Sequence, residues 1–172
     1  MMKILYAFLL LCCSCHHEID HGDLAVTAMR SYAKQVRKEF GFELSAFGGC
    51  MMNDIEIFEV TFARNDKVTV DEARRLIVQI SEGFIAKINA DEKIRPYLHN
   101  YPITQKNVRF HLSFAATRAE PPGNSFVYYV SSTNGKIFYD SFDNSIPRDD
   151  QQIVSLANEP YDEALKILHR EN

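Results

Sequence analysis

The first candidate for a chemical role is Cys50, because a thiol acts as a nucleophile when a base lies beside it. It follows two glycines at the predicted end of a strand, and His99 or His111 could supply the base. A working thiol needs a lowered pKa, usually from a helix N-terminus or an adjacent imidazole. Residues 51–54 predict a turn instead. The sequence therefore favours Cys50 as a small buried hydrophobic residue, with a thiol enzyme as the alternative.

A polar row on one predicted strand is the second candidate site. Arg109, His111 and Ser113 alternate with apolar residues. Tyr129 or Tyr139 is expected nearby in the sheet. An arginine in such a row can hold an anion through two parallel hydrogen bonds. The same pattern is typical of the solvated side of a half-buried sheet, and the sequence favours that interpretation.

The third candidate is a run of aromatic and polar residues braced by two prolines in a predicted loop over residues 91–105. The run contains Tyr97, His99, Asn100 and Tyr101. Long ordered loops carry function more often than short turns do. The run is therefore either a recognition loop or a rigid connector that packs its tyrosines on the sheet edge.

Metal-type side chains are densest near the N-terminus. They are His16, His17, Glu18, Asp20 and His21. His17 and His21 would share a face if this stretch were helical, a spacing that can bind zinc or copper. No partner that would orient these imidazoles is evident, so the stretch is interpreted as a polar tether, with a weak surface metal site as the alternative.

The N-terminus has the parts of a secretory signal. Lys3 supplies the positive charge, the ten residues from Ile4 to Cys13 are mostly apolar, and Ser14 is the small residue at the break. Ten residues rise only about 15 Å as a helix, which is too short for a hydrocarbon core of about 30 Å. Residues 1–14 are therefore expected to be a signal peptide rather than a transmembrane anchor.

Where this signal ends, the chain resembles the precursors of bacterial lipoproteins. Ser14 and Cys15 match the end of their lipobox, whereas Cys12 stands where a leucine is usual. The resemblance covers only the first fifteen residues and implies export, lipidation of Cys15 and attachment to a bacterial membrane. His16 is not the aspartate that retains some lipoproteins, so the outer membrane is favoured, with the domain in the periplasm or at the cell surface. The rest of the chain resembles only small uncharacterised bacterial proteins, which implies no activity.

Composition limits the remaining chain to one globular domain. Loss of residues 1–14 would leave 158 of the 172 residues, and loss of Lys3 would change the net charge from −4 to −5. A chain that is 46% hydrophobic and 24% charged can bury a core, and this charge does not favour nucleic acid. Cys50 would be left with only the lipidated Cys15, so no internal disulfide is predicted. No cofactor motif is present.

Periodic apolar residues predict two long helices. Asp23 is the expected cap of the first helix, which Gly41 should stop. Its polar face carries Arg30, Lys34, Arg37 and Lys38. The sequence slightly favours a solvated face, with contact to anionic headgroups as the alternative. Thr69 and Glu72 form a capping box for the second helix, which should run to about Asn89.

Alternating apolar and polar residues predict five strands. They are expected over residues 42–49, 55–62, 108–114, 126–131 and 136–142. A bulge or a strand start is expected near Ile57, and Asn134-Gly135 should form a hairpin turn. Residues 143–158 are predicted to be mostly loop, after which Pro160 opens a short helix through Leu168.

The element order α-β-β-α-β-β-β-α favours a two-layer α+β domain, with a mainly antiparallel sheet packed against the helices. The tether is assigned to residues 15–22 and the domain to residues 23–172. We expect a non-enzymatic envelope module that binds a partner protein or the cell envelope. The alternatives are a small hydrolase or thiol enzyme that uses Cys50 with His99 or His111, and metal binding by the tether histidines.

Overall fold

In the part of the chain that the structure describes, three α-helices lie on one face of a six-stranded sheet. The computed structural model describes residues 20–116, 126–143, 145, 150 and 152–171. The predicted signal, Cys15, His16 and His17 lie outside these residues. So does the stretch Pro121-Pro122-Gly123-Asn124, whose residue types predict a break between the third and fourth strands. Within the described part of the chain, the helices are too short or too polar to cross a membrane.

The first helix, α1, spans His21–Phe40. Its cap is Asp20, whose carboxylate accepts a hydrogen bond from the backbone N–H of Gly22 at 2.9 Å. The predicted cap Asp23 was wrong, because this residue already lies in the first turn of the helix. Gly41 ends the helix with a φ of 72°, as predicted. Two residues that we assigned to the tether, His21 and Gly22, therefore belong to the helix.

Two antiparallel strands follow, β1 (Glu43–Cys50) and β2 (Ile57–Arg64). The predicted strand start at Ile57 is confirmed. The register shifts between Leu44 and Ala46, where β1 carries an extra residue. This bulge puts the side chains of Ala46 and Cys50 on the sheet face opposite the helices, because Cys50 pairs with Ile57 rather than with buried Phe58.

The second helix, α2, spans Val70–Ala90 and connects β2 to β3 (Val108–Phe114). The predicted capping box between Thr69 and Glu72 is confirmed. Because α2 carries the chain back to the end of the sheet at which β2 begins, β3 runs parallel to β2. The sheet is therefore mixed rather than purely antiparallel.

The hairpin of β4 (Tyr129–Thr133) and β5 (Lys136–Phe142) turns at Asn134 and Gly135, as predicted. Both turn residues have positive φ angles, 50° and 73°, as a type I′ turn requires.

The predicted loop over residues 143–158 was wrong in its second half, where β6 (Ile153–Pro160) pairs with β5. The strand lies at the sheet edge and is largely exposed, so it lacks a clear apolar alternation. Pro160 ends β6, and the last helix, α3, spans Tyr161–Glu171. The sheet order is β1-β2-β3-β4-β5-β6, one strand more than predicted.

The core lies between the sheet and the helices and is rich in phenylalanine. Phe84 of α2 packs edge-on against Phe58 at 5.1 Å and Phe110 at 5.4 Å between ring centroids. Phe42 and Phe114 make a similar contact at 5.8 Å. Because alternate strand residues fill this core, their neighbours point to the opposite face, which none of the described helices covers.

Candidate functional site

The uncovered face of the sheet, which we call the open face, carries the predicted polar row. Register decides which side chains meet there. Glu59 of β2 pairs with Arg109 of β3, and His111 pairs with Ser131 of β4. The predicted neighbour Tyr129 lies on this face, opposite Ser113. The prediction that Tyr139 could be a neighbour was wrong, because this residue is fully buried on the helix side of the sheet.

Glu59 links the two charged members of the row. Its Oε2 atom lies 3.6 Å from Arg109 Nη1, and its Oε1 atom lies 3.4 Å from His111 Nε2. Both distances exceed those of a strong charge-assisted hydrogen bond, about 2.7–2.9 Å. Among the described residues, Arg109 Nε and His111 Nδ1 are buried and have no hydrogen-bond partner. The row therefore retains hydrogen-bonding capacity that the fold does not use.

Burial controls the protonation of His111. Its side chain is only 16% exposed, and desolvation lowers its pKa although Glu59 opposes the shift. The ring stacks on Tyr129 with 5.6 Å between centroids and 16° between planes. At neutral pH the imidazole is thus uncharged, and its unpaired nitrogen can donate or accept a hydrogen bond.

A second polar cluster lies where the β1–β2 turn meets the loop after α2. Ile55 bridges Leu98 in a parallel arrangement, with hydrogen bonds from Ile55 N–H to the Tyr97 carbonyl and from His99 N–H to the Ile55 carbonyl. Residues at i and i+2 of an extended segment point the same way. The side chains of Asp54 and Glu56, which precede and follow buried Ile55 in the chain, therefore point to the same side.

His99 completes this cluster. Its Nδ1 atom lies 2.7 Å from Asp54 Oδ2, and one ligand atom from each of Asp54, Glu56 and His99 lies within 4.8 Å of the others. The hydrogen bond and the negative charge of Asp54 raise the pKa of His99. We name these three residues the carboxylate–histidine cluster.

Cys50 is exposed, so the expectation of a buried core residue was wrong. Its thiol donates a hydrogen bond to Glu56 Oε2 at 3.5 Å, and this contact with a carboxylate raises the pKa of the thiol. His99 is bonded to Asp54 instead, and His111 lies four strand residues beyond the position of Cys50, about 13 Å along the sheet. The arrangement that an activated thiol needs is therefore not assembled here.

The aromatic loop is partly a connector and partly exposed. Its fold includes a short 3₁₀ helix, Arg95–Tyr97. Tyr97 stacks on His21 at 6.2 Å, whereas Tyr101 is 50% exposed beneath the guanidinium of Arg95. Asn100 is also exposed. Tyr97 therefore packs within the domain, but its ring partner belongs to α1 rather than to the sheet edge.

The structure describes two members of the predicted tether metal group, Asp20, which caps α1, and His21. The Nε2 atom of His21 lies 2.9 Å from the carbonyl oxygen of Met51. His21 thus ties the start of α1 to the β1–β2 turn, beside the carboxylate–histidine cluster.

No protein family, curated protein or solved structure matches this chain. The candidate sites consequently depend on geometry alone. Sequence reasoning missed Asp54, Glu56 and Glu59. Their acidic side chains could be read from the sequence as possible site residues. Only the long-range pairings Ile55–Leu98 and β2–β3, however, bring them to the histidines.

Proposed function

We propose that this protein is a lipid-anchored module of the bacterial envelope that binds a segment of a partner protein on the open face of its sheet. The observation that carries the proposal is the pair of unpartnered nitrogens, Arg109 Nε and His111 Nδ1. A buried donor without an acceptor costs about 1–3 kcal/mol. Because the Arg109 side chain is 42% exposed, a small rotation can present its Nε–H to a carboxylate or carbonyl oxygen of a partner.

Aromatic groups beside these nitrogens support a polypeptide partner. The stacked His111 and Tyr129 rings lie next to Ser131, whose neighbour in β5 is half-buried Phe138. Tyrosine, phenylalanine and arginine are the residues enriched at protein interfaces. The open face combines all three types with a neutral imidazole, so it offers both contact area and directed hydrogen bonds.

The resemblance at Cys15 supports the anchor, and the fold adds a geometric consequence. Residues 16–20 span at most about 17 Å when extended. The start of α1 would then lie close to the bilayer, together with the turn at Met51. Met52, at 87% exposure, is the most exposed large hydrophobic residue described and belongs to this same end.

The basic face of α1 is less suited to membrane contact than the N-terminal end of the helix, which follows the proposed anchor. The helix has 20 residues and rises about 30 Å, so Arg37 in its last turn lies far from its start. Arg37 also pairs with Glu43 at 3.0 Å, and the Arg30 guanidinium lies 5.1 Å over the Phe47 ring. These two cations are thus engaged within the domain.

Site-specific photocrosslinking in intact envelopes tests the proposal. A photoreactive amino acid that replaces Ser131 would lie on the open face. In the matched control it replaces Lys38, which is exposed on α1. We expect a discrete adduct from position 131 that disappears when Arg109→Gln is added, and none from position 38. Equal adducts from both positions, or an adduct that persists with Arg109→Gln and His111→Gln together, would overturn the proposal.

A further inference from the structure

We propose that Asp54, Glu56 and His99 bind a divalent transition-metal ion, with zinc as the best match. The three side chains come from two segments that the Ile55–Leu98 bridge joins, and their ligand atoms already lie within 4.8 Å of one another. This site includes none of the tether histidines among its ligands and does not depend on the proposed binding function.

The donor set matches zinc better than calcium or magnesium. Zinc takes imidazole nitrogen and carboxylate oxygen at about 2.0–2.2 Å, which places neighbouring ligands of a tetrahedral shell about 3.4 Å apart. Calcium and magnesium take oxygen ligands instead. Asp54 and His99 are closer than this, at 2.7 Å, because a proton now joins them. Replacing that proton by an ion, with small rotations of the side chains, would complete three protein ligands and leave a position for water.

The backbone holds the ligands in place before any ion arrives. Ile55, between the two carboxylates, is 1% exposed and is fixed by hydrogen bonds of 2.7 Å to the Tyr97 carbonyl and 3.0 Å from His99 N–H. The glutamate is further fixed by the bond of its N–H to the Cys50 carbonyl at 2.9 Å. Only side-chain torsions must therefore be ordered on binding, which reduces its entropic cost.

The Cys50 thiol lies beside the three ligands, 3.5 Å from Glu56 Oε2. A soft sulfur donor at the edge of a nitrogen and oxygen set favours zinc or cobalt over the hard cations. An ion bound here would link the β1–β2 turn to the loop after α2, at the end of the domain where α1 begins.

Metal titration of the full chain tests this site. The parent protein carries Cys12, Cys13 and Cys15 changed to Ser and His16 and His17 changed to Ala, which removes the N-terminal thiols and the two histidines before the described residues. It is purified in detergent and titrated with Zn²⁺ against a chromogenic chelator, and with Co²⁺ to record the ligand-field spectrum. Thermal unfolding with EDTA and with Zn²⁺ gives an independent readout.

We expect a single Zn²⁺ per chain, a four-coordinate Co²⁺ spectrum and a rise in the unfolding temperature with Zn²⁺. His99→Ala and Asp54→Asn should each weaken zinc binding roughly tenfold or more, because each removes a direct ligand. His169→Ala and Glu92→Gln make matched changes at exposed positions outside the site and should bind like the parent.

Unfolding in EDTA separates loss of binding from loss of fold, since a variant that unfolds like the parent in EDTA is intact. If such variants bind zinc as the parent does, or if the parent binds no zinc, the proposal is overturned. Loss of a sulfur-to-cobalt charge-transfer band in Cys50→Ser would support the thiol as a fourth ligand. A parent spectrum without that band would remove Cys50 from the site.

Discussion

The hydroxyl of Tyr32 in α1 occupies the space that a side chain at Gly83 in α2 would need. A Cβ atom at this glycine would lie 2.5 Å from the tyrosine Oη atom. The hydroxyl is held there because it donates a 2.7 Å hydrogen bond to the carbonyl of Ile80. The close approach of the two long helices thus depends on a glycine in the middle of one of them.

Gly83→Ala should therefore destabilise the protein, although alanine favours a helix by about 1 kcal/mol. Overpacking against the tyrosine should cost about 1–3 kcal/mol and outweigh that gain. Urea denaturation measures the free energy of unfolding. In a Tyr32→Phe background, which removes the crowding oxygen, the same change should cost less. A stabilised Gly83→Ala variant would show that the helices move apart easily.

A partly buried ion pair attaches the edge strand β6 to α2. Arg74 Nε donates to Glu159 Oε1 at 2.7 Å, and both side chains are 14% exposed. Tyr139 donates to the same oxygen. Glu159→Gln should lower the free energy of unfolding by about 1–3 kcal/mol, because the mostly buried guanidinium then keeps only the exposed carboxylate of Asp71 as a charged partner.

Glu163→Gln is the matched control for this prediction. Its pair with Lys166 is more than half exposed on both sides, so the change should cost less than about 0.5 kcal/mol. Chemical denaturation followed by circular dichroism measures both variants. Equal losses in the two variants would mean that burial adds nothing to the Arg74–Glu159 pair.

The helices could be predicted from the sequence because their signals are local. The Thr69–Glu72 capping box and the glycine after α1 act within one turn of the chain. β6 could not be predicted, since its residues are largely exposed and its strand is defined by pairing with β5. The parallel pairing of β2 with β3 is equally non-local.

The same difference between local and long-range signals explains which residues of the candidate sites could be predicted. Arg109, His111 and His99 stand out by residue type and alternation within one segment. Glu59 becomes their partner only through the register of two strands, and Asp54 only through the Ile55–Leu98 bridge. Exposure of Cys50 follows from the bulge in β1, which no local pattern showed.

Cys50 should react with a maleimide in the native protein, because its side chain is exposed. If labelling instead required local opening, destabilising the fold would speed it. We expect the same native rate in the protein with or without Gly83→Ala, measured with Cys12, Cys13 and Cys15 replaced by Ser and with EDTA present. A rate that rises as stability falls would contradict the exposed position.

The protonation of His111 should make the fold less stable in mild acid. Burial lowers its pKa in the folded state below the ordinary value of about 6.5. Below that value the unfolded chain takes up a proton that the folded chain resists. The stability linked to this group is therefore present above about pH 6.5 and is lost as the pH falls toward the folded pKa.

The fall in urea midpoint between about pH 7.5 and about pH 5.5 should thus be smaller in His111→Gln than in the parent protein. Glu59 and Arg109 face the same imidazole, with opposite effects on its charge, so neither is changed in this experiment. His169→Gln is the control, because this histidine is exposed on α3. NMR titration of the His111 ring gives the same answer directly. A midpoint above about 6.5 would mean that Glu59 outweighs burial, and the acid sensitivity of the fold would then have another origin.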